Sequence, residues 1–158
     1  MAMPLIERSG LRSTARSLRR AGKRVAFTNG CFDLLHPGHC SLLEEASRHA
    51  DVLIVGINDD ASVGRLKGAG RPVMPADERA ELLLALRWVD YVTVFPEDTP
   101  LETIELIEPD VLVKGAEYSI DSIVGAEFVT KRGGVVVRAE MHGGHSSRSL
   151  IEKISGVS

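Results

Sequence analysis

The chain has 158 residues, close to the ~150 of one ordinary domain, so a single unit spanning 1–158 is expected and two full-sized domains are excluded. Its 44% hydrophobic and 26% charged content is that of a folded globular protein, which sets aside disordered and fibrous classes. The formal net charge of -3 gives no overall attraction to nucleic acid or an anionic membrane, so any anion must be held locally.

Two cysteines, Cys31 and Cys40, do not make a disulfide framework, and the start carries no apolar stretch ending in a cleavage site. A reducing cytoplasm is the expected compartment. The longest apolar runs, Val52 to Ile57 and Leu82 to Leu86, fall far short of the ~20 residues that cross a bilayer.

In chain order, residues 1–22 form a helical or frayed extension: Ser13 to Arg20 is helix-compatible and basic on its exposed positions, and the first dozen residues show no pattern. Short β-branched runs then alternate with longer amphipathic segments. Strands are expected at Arg24 to Thr28, Val52 to Ile57, Tyr91 to Phe95, Val111 to Lys114 and Val135 to Arg138. Helices are expected at Pro37 to His49, Ala76 to Leu86, Pro100 to Ile107, Ile120 to Lys131 and Ser147 to Ile154. Such alternation predicts an α/β fold, a Rossmann-like five-stranded parallel sheet with helices on both faces. The stretch Asp59 to Pro75, with Gly64, Gly68 and Gly70 among Arg65, Lys67 and Arg71, reads as a mobile basic loop.

The most informative segment, Thr28 to His39, leaves the first strand and enters the first helix. Ligands of open parallel sheets bind outside the carboxyl ends of the strands, where the following helix presents free N–H groups to anions. Pro37 suits the first helical position, Gly38 lets an anion approach the backbone, and His36 and His39 fall on one side of a helical turn. Both imidazoles can then donate to one phosphoryl group. Other readings of the segment are a capping histidine beside a surface one, and a zinc site from Cys31, His36, His39 and Cys40. The zinc site would require the helix to unwind, because Cys40 follows His39 by about 100° around it. Asp33 either anchors the turn or binds a hydroxyl or a divalent ion beside the phosphates. Ser146 and Ser147 open the last helix, where they can cap it or meet a phosphate. His142 and His145 read as exposed turn residues, and the role of Trp88 stays open.

The His36-Pro37-Gly38-His39 element resembles the His-x-Gly-His mark of the cytidylyltransferase-like nucleotidyltransferase superfamily. Further stretches fall in order along the chain: Gly64 to Gly68, Arg71 to Val73, Glu78-Arg79, Asp90 to Val92, Val113 to Tyr118 and Gly144 to Ser147. Together they resemble the branch of adenylyltransferases that activates heptose 1-phosphate, over roughly Leu18 to Ile154. In that branch a sugar-kinase domain often precedes this one; a stand-alone transferase is expected here.

The resemblance implies that His36, His39 and Lys67 are catalytic: the two histidines stabilise charge on the transferred phosphate, Lys67 reaches the triphosphate or the incoming phosphate, and Arg79 braces the phosphates. It implies nucleotide contacts from Thr28, Asn29, Gly30, Cys31, Phe32, Gly38, Arg79, Lys114, Gly115, Glu117, Tyr118, Ser146 and Ser147. Asp33, Lys67 and Arg71 would bind the acceptor. The implied substrates are ATP and a sugar 1-phosphate, with Mg²⁺ carried mainly by substrate phosphates and no certain protein ligand. A homo-oligomer, dimer or tetramer, is compatible with the branch. The chain departs from the usual Ser-Thr-Thr run at the last helix, where Ser147 and Arg148 occupy the threonine positions. The His-x-Gly-His element alone leaves the base open, so a cytidylyltransferase for glycerol 3-phosphate or a phospho-alcohol, and a non-catalytic nucleotide-binding protein, are the competing readings.

Overall fold

A computed structural model describes residues 4–140 and 146–156. The elements in chain order are α1 (Arg8–Arg20), β1 (Val25–Gly30), α2 (Pro37–Ser47), β2 (Val52–Asn58), α3 (Asp60–Lys67), α4 (Ala76–Leu84) and β3 (Tyr91–Phe95). They continue with α5 (Leu101–Ile107), β4 (Val111–Gly115), a 3₁₀ turn (Ile120–Ser122), α6 (Ala126–Lys131), β5 (Val135–Ala139) and α7 (Ser147–Ser155).

All strand pairs are parallel, and the five strands lie in the order β3-β2-β1-β4-β5. The chain winds outward from β1 to β3, then returns to place β4 on the other side of β1, so the switch point falls between β1 and β4. Period-two alternation builds two cores. Ala26, Leu53, Val55, Val92 and Val113 face α2 and α4, with Leu43, Ala46 and Leu83. Val25, Phe27, Ile54 and Leu112 face α1, α5 and α6, with Leu11, Ile104 and Val129.

Three aspartates fix the strand starts. Asp51, Asp90 and Asp110 each stand immediately before a strand and accept the N–H of Arg24, Leu53 and Val25 at or just before the start of the neighbouring strand, each at 2.8 Å. Asp110 thereby helps set the β1–β4 register.

The structure corrects three expectations. The N-terminal segment is not frayed over the described residues: Leu5 bridges to Val92, Ile6 N–H donates to Val92 O at 2.8 Å, and α1 begins at Arg8. α1 is tied down by Leu11 and Ala15 in the core and by Arg19, which donates to the carbonyls of Ile107 and Glu108 at the end of α5. The supposed loop Asp59 to Pro75 contains α3, capped by Asp59, whose carboxylate accepts from Ser62 N–H at 2.8 Å. The predicted helix Ile120 to Lys131 is broken at Gly125, whose φ of +86° belongs to the left-handed region, so a 3₁₀ turn precedes a shorter α6. Among the described residues no helix is long and apolar enough to cross a membrane.

Candidate active site

A cleft of about 380 Å³ opens at the carboxyl ends of β1 and β4, the switch point of the sheet. Asn29 and Gly30 from β1, Lys114 and Gly115 from β4, the 31–33 turn, Lys67 at the end of α3, Arg71 and the start of α7 all line it. It holds four cations, Lys67, Arg71, Lys114 and Arg148, on a chain whose net charge is negative. That is the local anion site the overall charge made necessary.

The two histidines are arranged by the helix they begin. His36 is the N-cap of α2, and its Nδ1 accepts from Gly38 N–H at 3.1 Å; His39 Nδ1 accepts from His36 N–H at 3.3 Å. This is a capping box written with imidazoles. A ring nitrogen that accepts carries no proton, so each neutral ring has its proton on Nε2 and can offer it as a donor. The rings stack with centroids 3.7 Å apart, and Phe32 lies 5.0 Å from His39. Burial, then the His36 ring and the Lys67 ammonium, push the pKa of His39 down to about 3, so it donates as a neutral group at physiological pH.

Asp33 holds the opposite wall. Its buried carboxylate accepts from Arg71 Nε–H at 2.8 Å, Val73 N–H at 2.8 Å and Met74 N–H at 3.0 Å. Burial alone would raise its pKa, but these donors outweigh it and hold the carboxyl below its usual range. Of the two readings of Asp33, the geometry displays the anchor: both oxygens grip residues 71–74. Ser147 also turns its hydroxyl to the carbonyls of Asp33 and Leu34, and Ser146 caps α7 by accepting from Ser149 N–H at 3.0 Å. Both serines line the cleft, with Arg148 beside them.

Arg79 corrects the expectation that it braces phosphates. Its side chain is wholly buried beneath the cleft, and it donates to Cys31 O, Asn58 O, Met74 O and Asp60 Oδ1 at 2.7, 2.8, 3.0 and 2.7 Å. Four donors are thereby spent on protein. Thr28 and Gly38 do not line the cleft either; Thr28 is buried in β1, and its Oγ1 has no partner among the described residues. The remaining residues implied by resemblance, Asn29 to Phe32, His36, His39, Lys67, Arg71, Lys114, Gly115, Glu117, Tyr118, Ser146 and Ser147, are brought together. Lys67 arrives from a helix end, not from a mobile loop.

Lys114 is half-buried against Asn29, with Nζ 3.3 Å from its Oδ1 and 5.1 Å from the Tyr118 ring centre. Burial lowers its pKa, opposed by Glu117 and Cys31. The Cys31 thiol is pushed up by burial, with Lys67, Arg79 and Arg71 opposing. Among the described residues no three His, Cys, Asp or Glu side chains converge on a metal position. His142 and His145 lie outside the described residues. The sequence reading missed Asn58, Met74 and Arg138; a buried Asn at a strand end was the one signal available.

A parallel sheet with a paired-histidine helix start and a cationic cleft at its switch point defines an α/β nucleotide-binding domain of the nucleotidyltransferase kind. The model of the Cytidylyltransferase-like family matches residues 27–145, and the chain belongs to that family and is a nucleotidyltransferase. The chain is 56% identical over 138 residues to the bifunctional protein HldE of Paramagnetospirillum magneticum, covering 87% of this chain and 28% of that protein. It is 50% identical over 150 residues to HldE of Acidiphilium cryptum, covering 95% and 31%. The chain thus spans about a third or less of these curated relatives. Among solved structures, a lipopolysaccharide core biosynthesis protein from Thermoplasma volcanium aligns with a TM-score of 0.64 at 24% identity, over 77% of this chain and 100% of that one. A pantoate-beta-alanine ligase from Francisella tularensis, complexed with beta-gamma ATP and beta-alanine, aligns with a TM-score of 0.64 at 15% identity, over 95% of this chain and 73% of that one. At these identities the two structures establish the fold.

Proposed function

We propose that the chain transfers AMP from ATP to a sugar 1-phosphate, a heptose 1-phosphate, releasing pyrophosphate and giving an ADP-sugar for lipopolysaccharide core or related surface-glycan precursors. The observation that carries the reading is the histidine pair: both rings turn Nδ1 to a backbone N–H, which leaves Nε2 as the donor, and both line a cleft with four cations. An oxygen of the acceptor phosphate attacks the α-phosphorus, the bond to the bridging oxygen breaks, and pyrophosphate leaves. The acceptor is already a nucleophile, so the protein's work is positioning and charge stabilisation. His36 and His39 donate to the α-phosphoryl oxygens, Lys67, Arg71 and Arg148 hold the flanking phosphates, and Lys114 to Tyr118 meet the nucleoside.

Magnesium fits this cleft as an ion carried on the triphosphate, where it would neutralise charge on the leaving pyrophosphate. Asp33 is committed to residues 71–74, and Glu117 is the other carboxylate among the described lining residues. The choice of heptose and of adenine is supported by the identity to the HldE proteins across most of this chain. The family's description favours a second reading, a cytidylyltransferase acting on glycerol 3-phosphate or another phospho-alcohol. A pyrophosphate-release screen of four nucleotides against a panel of sugar 1-phosphates and phospho-alcohols decides between them: release with ATP and a heptose 1-phosphate is expected, and release only with CTP overturns the assignment.

A further inference from the structure

Arg138 stands on β5, the edge strand, and does not line the cleft. Its Nε–H donates to Tyr118 O at 2.7 Å and its Nη2–H to Ala116 O at 2.6 Å, so one planar guanidinium holds the two carbonyls that flank Glu117. The backbone reinforces the grip. Ala116 N–H donates to Ala139 O at 2.8 Å, carrying the β4–β5 pairing past its last rung, and Tyr118 N–H closes a turn onto Gly115 O at 3.2 Å.

Between the clamped carbonyls the Glu117 side chain folds back over Gly115, where a Cβ would lie 2.1 Å from its Oε2. The Tyr118 ring is held beside Lys114. Glu117 and Tyr118 both face the cleft, so their directions are set by a three-residue loop that Arg138 ties from outside.

We propose that Arg138 is a positioning residue for the nucleotide: by gripping the carbonyls of Ala116 and Tyr118 it fixes how Glu117 and Tyr118 meet the nucleoside. This rests on the reading above that the 114–118 segment contacts the nucleotide. The fork matters, because a lysine ammonium is a point donor that cannot span two carbonyls with fixed geometry. Arg138 is exposed, so water replaces its bonds on truncation and the fold loses little, whereas the loop loses its orientation.

The test is steady-state kinetics of Arg138→Ala, Arg138→Lys and Glu117→Ala, titrating nucleotide at saturating acceptor and then the reverse, beside melting temperature and amide exchange over residues 115–119. Arg138→Ala and Arg138→Lys should both raise the nucleotide KM at least about fivefold with kcat within about twofold. Exchange over the loop should quicken while Tm holds. An unchanged nucleotide KM in Arg138→Ala, with Glu117→Ala raising it, would overturn the proposal and leave the nucleotide reading standing. Full restoration by Arg138→Lys would overturn the two-point clamp. A KM rise confined to the acceptor in both Arg138→Ala and Glu117→Ala would overturn the nucleotide reading of the loop, and this proposal with it.

Discussion

Each histidine of the pair does two jobs through two nitrogens, and substitution can separate them. Nδ1 caps α2, while on the proposed reading Nε2 is the donor to the phosphoryl group. Asparagine at position 36 keeps a capping acceptor, and glutamine at position 39 is the usual residue at the third position of a capping box. His36→Asn and His39→Gln should therefore melt near the wild type yet lose ~10²–10³ in kcat, the usual cost of one donor to developing charge. His36→Ala should lose the cap as well, about 1 kcal/mol in urea denaturation. Near-wild-type turnover in His36→Asn would reduce the ring to a cap. His39 also predicts a pH dependence. Its folded pKa is about 3 against an ordinary 6.5, so between those values the unfolded state holds the extra proton and stability falls as the pH is lowered. The fall can reach ~1.4 kcal/mol per pH unit for one proton. Asp33 has the same sign in a different window: its lowered carboxyl contributes stability above its ordinary 3.8 and loses it only below that value. Denaturation midpoints taken from about pH 6.5 down to 5.5 stay above the ordinary 4.5 of Glu45, Glu97 and Glu127, whose carboxyls are also held low, and His39→Gln should flatten the slope there. An equally steep slope in that variant would place the titration elsewhere.

At the scale of elements, α3 and the 71–74 segment are carried into the cleft from below by Arg79 and Asp33. Arg79 binds the ends of β1 and β2, the Met74 carbonyl and the first residue of α3; Asp33 takes the two amides of Val73 and Met74. Arg79→Met would strand three carbonyls, so a loss of at least ~3 kcal/mol is expected in urea denaturation. Asp60→Asn should cost under about 1 kcal/mol, because its carboxylate is half exposed. Equal costs would mean that the ion pair, not the carbonyl clamp, matters. The same elements mark where the sequence could be read and where it could not. The strands were legible because apolar runs buried on both faces have few other uses, and the histidine turn was legible because Pro37 and Gly38 fix its place at a helix start. α3 was hidden by weak periodicity, with Gly64 inside it and Val63 its buried apolar anchor, although Asp59 before Asp60 is a cap signal. The break at Gly125 depends on Ile104 from another helix: a Cβ at Gly125 would lie 2.6 Å from its Cδ1. Arg79 was unreadable because a buried guanidinium and a phosphate-binding one look alike until their acceptors are known.

For the whole molecule, the sheet order decides which segments can meet one substrate. Only at the β1/β4 switch do the histidine turn, the β4 loop and the start of α7 converge. On the proposed reading the histidine side meets phosphate, so nucleotide specificity comes from the β4 side. The resemblance to the heptose branch and the family description pull apart on the base: the first implies ATP, while the family takes its name from cytidylyl transfer. A loop held by backbone and Arg138 presents fixed donors and acceptors. Fixed polar groups that pair with adenine's N6 donor and N1 acceptor are left unpaired by cytosine, and an unpaired buried group costs about 1–3 kcal/mol. That is enough for ATP with a heptose 1-phosphate to exceed CTP with glycerol 3-phosphate by at least about tenfold in kcat/KM, or about 1.4 kcal/mol. Both nucleotides and both acceptors in one reaction, read by mass spectrometry, measure the ratio directly because they compete for one cleft. ADP-heptose as the main product is expected. CDP-glycerol as the main product would overturn the base and acceptor together, and ADP-glycerol would overturn the acceptor alone, which would move the specificity question from the 114–118 loop to the Lys67 and Arg71 wall.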